Sequence, residues 1–148
     1  MSENLPGAVL FACGQNCIRS PMAEALMHHF YGQRVHVASC GVQAGEGDPF
    51  VHAVMDELGV DMSGFQPKTF EDLEDTNFDL VVSLSPEAHH KAMEMTRTMA
   101  IDVEYWPTLD PSAAVGSREQ ILDSYRSVRD ATIARLKERF GALAAYGV

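Results

Sequence analysis

The chain has 148 residues and a mass of 16.2 kDa, a size that predicts one domain spanning residues 1–148. Its 11 basic and 21 acidic residues leave a formal net charge of −10, with no Lys/Arg cluster to offset it, so a nucleic-acid partner is not expected. No apolar run reaches the ~20 residues of a membrane span. Residues 1–6 also lack the basic start and apolar core of a secretion signal, and three cysteines suit a reducing compartment, so the expected setting is cytoplasmic with no membrane partner.

Strand-like and helix-like segments alternate along the chain. Ala8 to Ala12 is a short apolar run of the kind buried on both faces of a parallel sheet. Ser20-Pro21 reads as an N-cap followed by proline at the first helical position, with Met22, Leu26, Met27 and Phe30 on one helix face. Val35 to Ser39 is the second strand, and Asp48-Pro49 opens a second helix lined by Phe50, Val54 and Leu58 and ended by Gly59. Glu71-Asp72-Leu73-Glu74-Asp75 reads as a solvated loop or helix face. Phe78 to Leu84 is the third strand, Ser85-Pro86 starts a helix carrying Ala88, Ala92 and Met95, and Ile101 to Trp106 is the fourth strand. Ser117-Arg118-Glu119-Gln120 has the capping-box form, and Ile121, Tyr125, Val128, Thr132, Leu136 and Phe140 follow at helical spacing, Thr132 being the weak member. Four alternations predict an α/β fold: a three-layer sandwich with a four-stranded parallel sheet and right-handed crossovers. Ligands in such sheets sit beyond the carboxyl ends of the strands, which directs attention to the loops 13–19, 40–47, 84–86 and 106–116.

The first of these loops reads Cys13-Gly14-Gln15-Asn16-Cys17-Ile18-Arg19-Ser20. A tight strand-to-helix loop can turn its amide hydrogens inward as an anion nest, and the helix N-terminus adds unpaired donors and a positive dipole end. Arg19 can grip two oxygens of a tetrahedral anion, and the same field favours a thiolate at Cys13. A thiolate beneath a bound phosphate is placed for in-line attack.

Val9-Leu10-Phe11-Ala12-Cys13, Asn16 and Arg19-Ser20-Pro21-Met22-Ala23-Glu24 resemble the signature of the low-molecular-weight protein-tyrosine phosphatases, a flavodoxin-like fold shared by thioredoxin- and glutaredoxin-coupled arsenate reductases. Ala38-Ser39-Cys40-Gly41, Leu58 to Gly64 and Asp110-Pro111 extend the resemblance along most of the chain. It implies that Cys13 is the nucleophile and Arg19 the transition-state clamp. It also implies that residues Gly14, Gln15, Asn16, Cys17, Ile18, Arg19 and Ser20 bind phosphate, that Ser20 donates to the thiolate, and that Asn16, Ser20 and Ser39 brace the loop. Pro21 and Glu24 read as helix-start residues. Asp110 becomes the general acid, although Asp48-Pro49 shows that the same dipeptide also serves as a plain helix start.

Three departures bear on substrate. Ser112, Ala113 and Ala114 stand where family phosphatases carry aromatic residues, and the 40–47 loop has none, so a phosphotyrosine ring lacks a wall unless Trp106, Phe50 or Tyr105 substitutes. The second loop cysteine is Cys17, one position earlier than in family phosphatases; it reads as pocket wall or as the partner in an oxidation-guarding disulfide with Cys13. Ser83 to His90 contains no cysteine, which rules out the internal thiol relay of the thioredoxin-coupled reductases, and Cys40 reads as a small buried residue. The six histidines are expected on helix surfaces without a metal site, the eight methionines in the core, and no cofactor motif is present. The expected activity is a cysteine-dependent phosphomonoester hydrolysis through a phosphocysteine, on a phosphorylated protein or small phosphomonoester with inorganic phosphate as product. The alternative is arsenate reduction in the same loop with an external thiol such as glutathione or glutaredoxin.

Overall fold

The computed structural model describes residues 5–74 and 77–141. Four parallel strands form one sheet, β1 (Ala8–Cys13), β2 (His36–Gly41), β3 (Leu80–Ser83) and β4 (Asp102–Tyr105), in the order β2-β1-β3-β4. The chain runs from β1 outward to β2 and then crosses to the other side for β3. The strand order therefore reverses beside β1, and the crevice for a ligand opens at the carboxyl ends of β1 and β3.

Side chains alternate across the sheet as the pleat requires. Val9, Phe11 and Cys13 of β1, with Leu80 and Val82 of β3, join the larger core beneath α1 (Arg19–Tyr31), α2 (Pro49–Asp56) and α4 (Arg118–Phe140). Leu10, Ala12 and Val81 face the smaller core with Ala88 and Ala92 of α3 (Pro86–Met95). Both faces of β1 are covered, which is why its sequence is continuously apolar rather than alternating.

The expected helix starts are found at Asp48, Ser85 and Ser117, whose side chains accept from the backbone N–H of Phe50, Ala88 and Gln120. The fourth start differs. Helix α1 begins at Arg19, one residue before Ser20, and Ile18 sits at its cap with no side-chain hydrogen bond. Ser20 is fully buried inside the first turn, and its hydroxyl is directed to Cys13 instead.

Smaller differences follow from packing. Strand β2 starts one residue later than expected and runs on to Gly41, while β3 and β4 are shorter than their apolar runs. On α2 the buried side chains are Val51, Val54 and Met55, and Phe50 packs only partly, as does Phe30 on α1; the helix ends at Asp56, ahead of Gly59, so Leu58 lies beyond it and is also only partly packed. The α4 stripe is buried at Tyr125, Val128, Thr132, Leu136 and Phe140, but Leu122 rather than Ile121 fills its first position. Thr132 satisfies its hydroxyl on the carbonyl of Val128. Met22, Met27, Met55 and Met62 are core residues, whereas Met93 is exposed and Met95 and Met99 are half-buried; Met1 lies outside the described residues. Glu71 and Asp72 lie in a 3-10 turn capped by Thr69, where Glu71 pairs with Lys91 at 2.8 Å; Asp75 lies outside the described residues. Two histidines depart from the helix-surface expectation: His36 lies on β2 with its ring stacked on Phe78, and His89, on α3, has its Nδ1 2.8 Å from the buried Ser83 hydroxyl and its ring stacked on Tyr105. Among the described residues no helix is long and apolar enough to cross a membrane, and no cluster of three metal-ligating side chains occurs.

Candidate active site

Cys13 ends β1 on the ligand side of the sheet, and the segment from Gly14 to Ile18 turns the chain into α1. The neighbouring 42–45 segment fixes the direction of the turn. The N–H groups of Val42, Gln43 and Gly45 donate to the carbonyls of Cys13, Gly14 and Gln15 at 3.2, 2.9 and 2.8 Å. Because a trans peptide places N–H opposite C=O, the amide hydrogens of Gly14, Gln15 and Asn16 point the other way, away from that segment. The Asn16 N–H indeed donates to Cys13 Sγ at 3.3 Å. Outward carbonyls and inward amides are what an anion cup requires.

Asn16 makes the turn possible. Its φ of 52° lies in the left-handed region, and it is the one non-glycine residue there among those described. Its side chain is fully buried and fully used: Nδ2 donates to Ser20 Oγ at 2.9 Å and Ser39 Oγ at 3.0 Å, and Oδ1 accepts from Lys68 N–H at 2.8 Å. Three anchors from three segments hold a conformation that costs ~1–3 kcal/mol. Gly41, at the end of β2, lets that segment lie flat against the turn; a Cβ there would come within 2.5 Å of Gln43 O and 2.7 Å of Asn16 N.

The Cys13 side chain is 2% exposed, yet its sulfur is not enclosed by hydrocarbon alone, because Ser20 Oγ stands 2.9 Å away beside the Asn16 amide. Arg19 Nη1 donates to the Thr108 carbonyl at 3.1 Å, and Nη2 lies 3.9 Å from Asp110 Oδ2. The guanidinium thus ties the first loop to the loop after β4. Asp110 also caps a 3-10 turn, accepting from Ser112 N–H at 2.9 Å. Partial burial pushes its carboxyl up, but the Ser112 hydrogen bonds and the Arg19 charge outweigh that and leave it below the ordinary aspartate value.

Cys13, Gly14, Gln15, Cys17, Ile18, Arg19 and Asp110 line one cavity of about 620 Å³, together with Val42, Gln43, Asp48, Glu87 and Ser112. The structure therefore brings Cys13, Arg19 and Asp110 together. Asn16 and Ser20 lie beneath the cup rather than on its wall, and Ser39 lies behind Asn16. An apolar groove of about 790 Å³ between Trp106–Pro111 and α4 is larger, but it contains neither Cys13 nor Arg19 and shares only Asp110 with the cup.

No aromatic side chain lines the cup. Trp106 is buried against Phe11 and Phe140, Phe50 packs on Tyr125, and Tyr105 stacks on His89, so none of the three candidate substitutes serves as a wall. Cys17 is wall, as one of its two readings had it, and is a free thiol. Burial pushes it up to about 11, with the charges of Cys13, Asp48 and Asp110 adding to the rise. Cys40 is fully buried and free, and burial raises it further.

Two residues of the site escaped the sequence reading. Asp48 accepts from Phe50 N–H and from Tyr125 Oη at 2.7 Å while facing the cavity; its match to the Asp110-Pro111 dipeptide was the available signal. Glu87, in the first turn of α3, approaches Gly14 so closely that a Cβ there would lie 3.1 Å from its carboxylate.

The strand order and the cysteine-to-arginine turn at the sheet's switch point define an α/β protein with a tight strand-to-helix loop at the carboxyl edge of its sheet. A family model described as low molecular weight phosphotyrosine protein phosphatase matches residues 8–146, and the chain belongs to that family. It is 33% identical over 130 residues to an arsenate reductase of Bacillus subtilis, covering 88% of this chain and 92% of the relative. It is 31% identical over 131 residues to a glutaredoxin arsenate reductase of Synechocystis sp., covering 88% and 91%. Among solved structures, an arsenate reductase in the phosphate-binding state superposes with a TM-score of 0.69 at 27% identity, covering 94% of this chain and 98% of that one. A tyrosine phosphatase of Erwinia amylovora shares the fold, with a TM-score of 0.73 at 17% identity over 97% and 95% of the two chains.

Proposed function

We propose that this chain reduces arsenate at the expense of an external thiol, with Cys13 as nucleophile and Arg19 as oxyanion clamp. The observation that carries the reading is the cup itself: a sulfur flanked by the Ser20 hydroxyl and the Asn16 amide, under inward amides, in a cavity with no aromatic wall. Such a site suits a bare tetrahedral anion better than an aryl phosphate. The curated relatives named above, both arsenate reductases, support the same choice.

The Cys13 thiolate attacks arsenic, and one arsenate oxygen leaves as water after taking up protons, one of them from Asp110 once it is protonated. An external thiolate then attacks the Cys13 sulfur. The S–As bonding pair passes to arsenic, arsenic(V) becomes arsenic(III), arsenite departs, and a mixed disulfide remains. A second thiol restores Cys13. The electrons come from outside because the segment after β3 has no cysteine, Cys40 is buried, and Cys17 holds its proton at neutral pH.

The placement of Asp110 beside Arg19 favours a second reading, phosphomonoester hydrolysis through a phosphocysteine, in which Asp110 protonates the leaving oxygen and then serves as base toward water. Its depressed carboxyl is the obstacle, and a dianion bound in the cavity beside it would work against that depression, since a nearby like charge raises a carboxylic acid. One parallel assay decides: arsenite release with glutathione plus glutaredoxin, against phosphate release from phosphotyrosine peptide and p-nitrophenyl phosphate. Arsenite release lost in Cys13→Ser supports reduction; efficient ester cleavage without arsenite release refutes it in favour of the hydrolase.

A further inference from the structure

Asp48, Glu87 and Asp110 line the same cavity as Cys13 and Arg19, and carboxylates beside an oxyanion ordinarily repel it. Their settings differ. Asp110 stands 3.9 Å from the Arg19 guanidinium and accepts from Ser112 N–H, while Glu87 lies over Gly14. Asp48 is held by two neutral donors instead: Oδ1 accepts from Phe50 N–H at 2.8 Å and Oδ2 from Tyr125 Oη at 2.7 Å. Burial first, and then the Asp48 hydrogen bond, hold the Tyr125 phenol well above its ordinary value, so it keeps its proton and remains a donor. The Asp48 carboxylate is therefore fixed from α2 and from α4 together. Each of its oxygens can accept twice and accepts once here, which leaves acceptor capacity on a residue that faces the cavity.

Tetrahedral anions divide by whether they hold a proton near neutral pH. Arsenate and phosphate keep at least one, and sulfate keeps none. A fixed acceptor in an anion site gains a hydrogen bond from the first two and meets bare negative oxygen in the third. We propose that Asp48 is the specificity-determining residue of the cup: its carboxylate accepts a hydrogen bond from a protonated oxygen of arsenate or phosphate and thereby rejects sulfate. The proposal deepens the reading of the cup as an oxyanion site and rests on it. An anion with three oxygens on the loop amides and Arg19 turns its fourth away from Cys13 Sγ, and in-line attack expels that fourth oxygen. In arsenate the oxygen held by Asp48 arrives with one of the two protons it needs to leave as water, and Asp110, on the same cavity, supplies the other.

Calorimetric titration with inorganic phosphate and with sulfate, at pH 7 and constant ionic strength, tests this on wild type, Asp48→Asn and Glu87→Gln. Binding does not depend on turnover, so the result stands whether arsenate or a phosphoester is the substrate; a wild type that binds neither anion would sink the cup as an oxyanion site, and the proposal with it. Phosphate should bind wild type ~10- to 100-fold more tightly than sulfate, the worth of one hydrogen bond to a charged group. Asp48→Asn keeps a good helix cap and the side chain's shape but adds amide donors, so phosphate should weaken, sulfate should tighten, and the ratio should collapse toward one. Plain charge repulsion also disfavours sulfate, the more highly charged anion at this pH, and it acts through Glu87 as well. Glu87→Gln should therefore tighten both anions and leave their ratio close to that of wild type. Equal affinities in wild type, a ratio that survives Asp48→Asn, or a ratio that falls as far in Glu87→Gln overturns the proposal.

Discussion

Gly41→Ala isolates the contact that shapes the cup. Gly41 does not occupy the left-handed region, so alanine carries no backbone penalty there and any loss is steric. The new Cβ would meet Gln43 O at 2.5 Å, Asn16 N at 2.7 Å and the Gln15 carbonyl carbon at 2.9 Å, all backbone atoms with no rotamer to turn away. Restoring 3.4 Å, the onset of ordinary contact, requires about 0.9 Å of movement at Gln43 and about 0.7 Å at Asn16. Overpacking of this kind costs ~1–3 kcal/mol. In a chain of 148 residues each kcal/mol lowers the melting temperature by ~2–4 °C, so a loss of ~2–12 °C is expected. The larger effect falls on function, because the Asn16 amide that must move is the one donating to Cys13 Sγ. Displacement approaching 1 Å in a reacting constellation costs up to ~100-fold in rate. The assays are scanning calorimetry, with and without saturating phosphate, and turnover. Wild-type melting, wild-type stabilisation by phosphate and wild-type turnover together would show that the loop does not depend on a bare Cα at this position.

Asn16→Ala should lose ~2–4 kcal/mol by chemical denaturation and most turnover, since it removes three anchors and keeps an unfavourable φ; Asn16→Gly relieves the φ alone and should recover only ~1 kcal/mol of that loss. A full recovery would mean that backbone conformation, not the side-chain bonds, sets the loop. If the chain cleaves phosphoesters, Asp110→Asn should slow alkyl phosphates at least ~10-fold more than p-nitrophenyl phosphate, whose leaving group needs no proton; equal losses remove Asp110 from proton transfer. Because Cys17 titrates at about 11, its alkylation should rise roughly tenfold per pH unit from 7 to 10, and a plateau near pH 8 would contradict the burial that raises it. Glu57 is depressed by hydrogen bonds from Arg126 and Arg129; the stability it supplies is present above the unfolded glutamate value of ~4.3 and is lost as pH falls through the lower folded value. Glu57→Gln should therefore flatten the acid limb of the stability curve and leave a protein less stable at pH 7, measured by urea titration at each pH.

The alternation of strands and helices was readable because β1 is covered on both faces and its sequence is therefore uninterrupted Val-Leu-Phe-Ala. Caps at Asp48, Ser85 and Ser117 were readable because each acts on amides two or three residues away. Ser20 looks the same in sequence, since Ser-Pro is a standard helix start, but a longer-range partner, Cys13, claims its hydroxyl and the helix begins one residue earlier. The resemblance pointed to Cys13, Arg19 and Asp110, and the structure gathers them on one cavity. Local pattern could not show the second layer. Gly41, Gln43 and Gly45 reach the cup across a parallel strand pair, Lys68 through a backbone amide that any residue would supply, and Glu24 through a serine on another strand. Contacts that depend on register between distant segments leave no periodicity to read.

That second layer also limits what the cup can select. Its rim is built from Gln15, Gln43, Asp48, Glu87, Asp110 and Ser112, with three carboxylates among six side chains, on a chain already at −10. Such a rim repels an anion approaching from solvent, so on the proposed reading capture rests on the floor, where the amides, Arg19 and the N-terminus of α1 would act together at short range. A substrate whose binding depended on its organic part would need apolar or cationic-face contacts at that rim, and the lining offers no ring to stack on. A bare oxyanion needs none, because its whole surface is oxygen. The same geometry predicts weak salt protection. Added salt screens the repulsive rim more than the buried floor, so the rate of anion capture should increase as ionic strength rises from 0.01 to 0.15 M, where the screening length shrinks from ~30 to ~8 Å. Stopped-flow binding of phosphate across that range measures it, and a capture rate that falls steeply with salt would mean that an exposed cation, not the floor, draws the anion in.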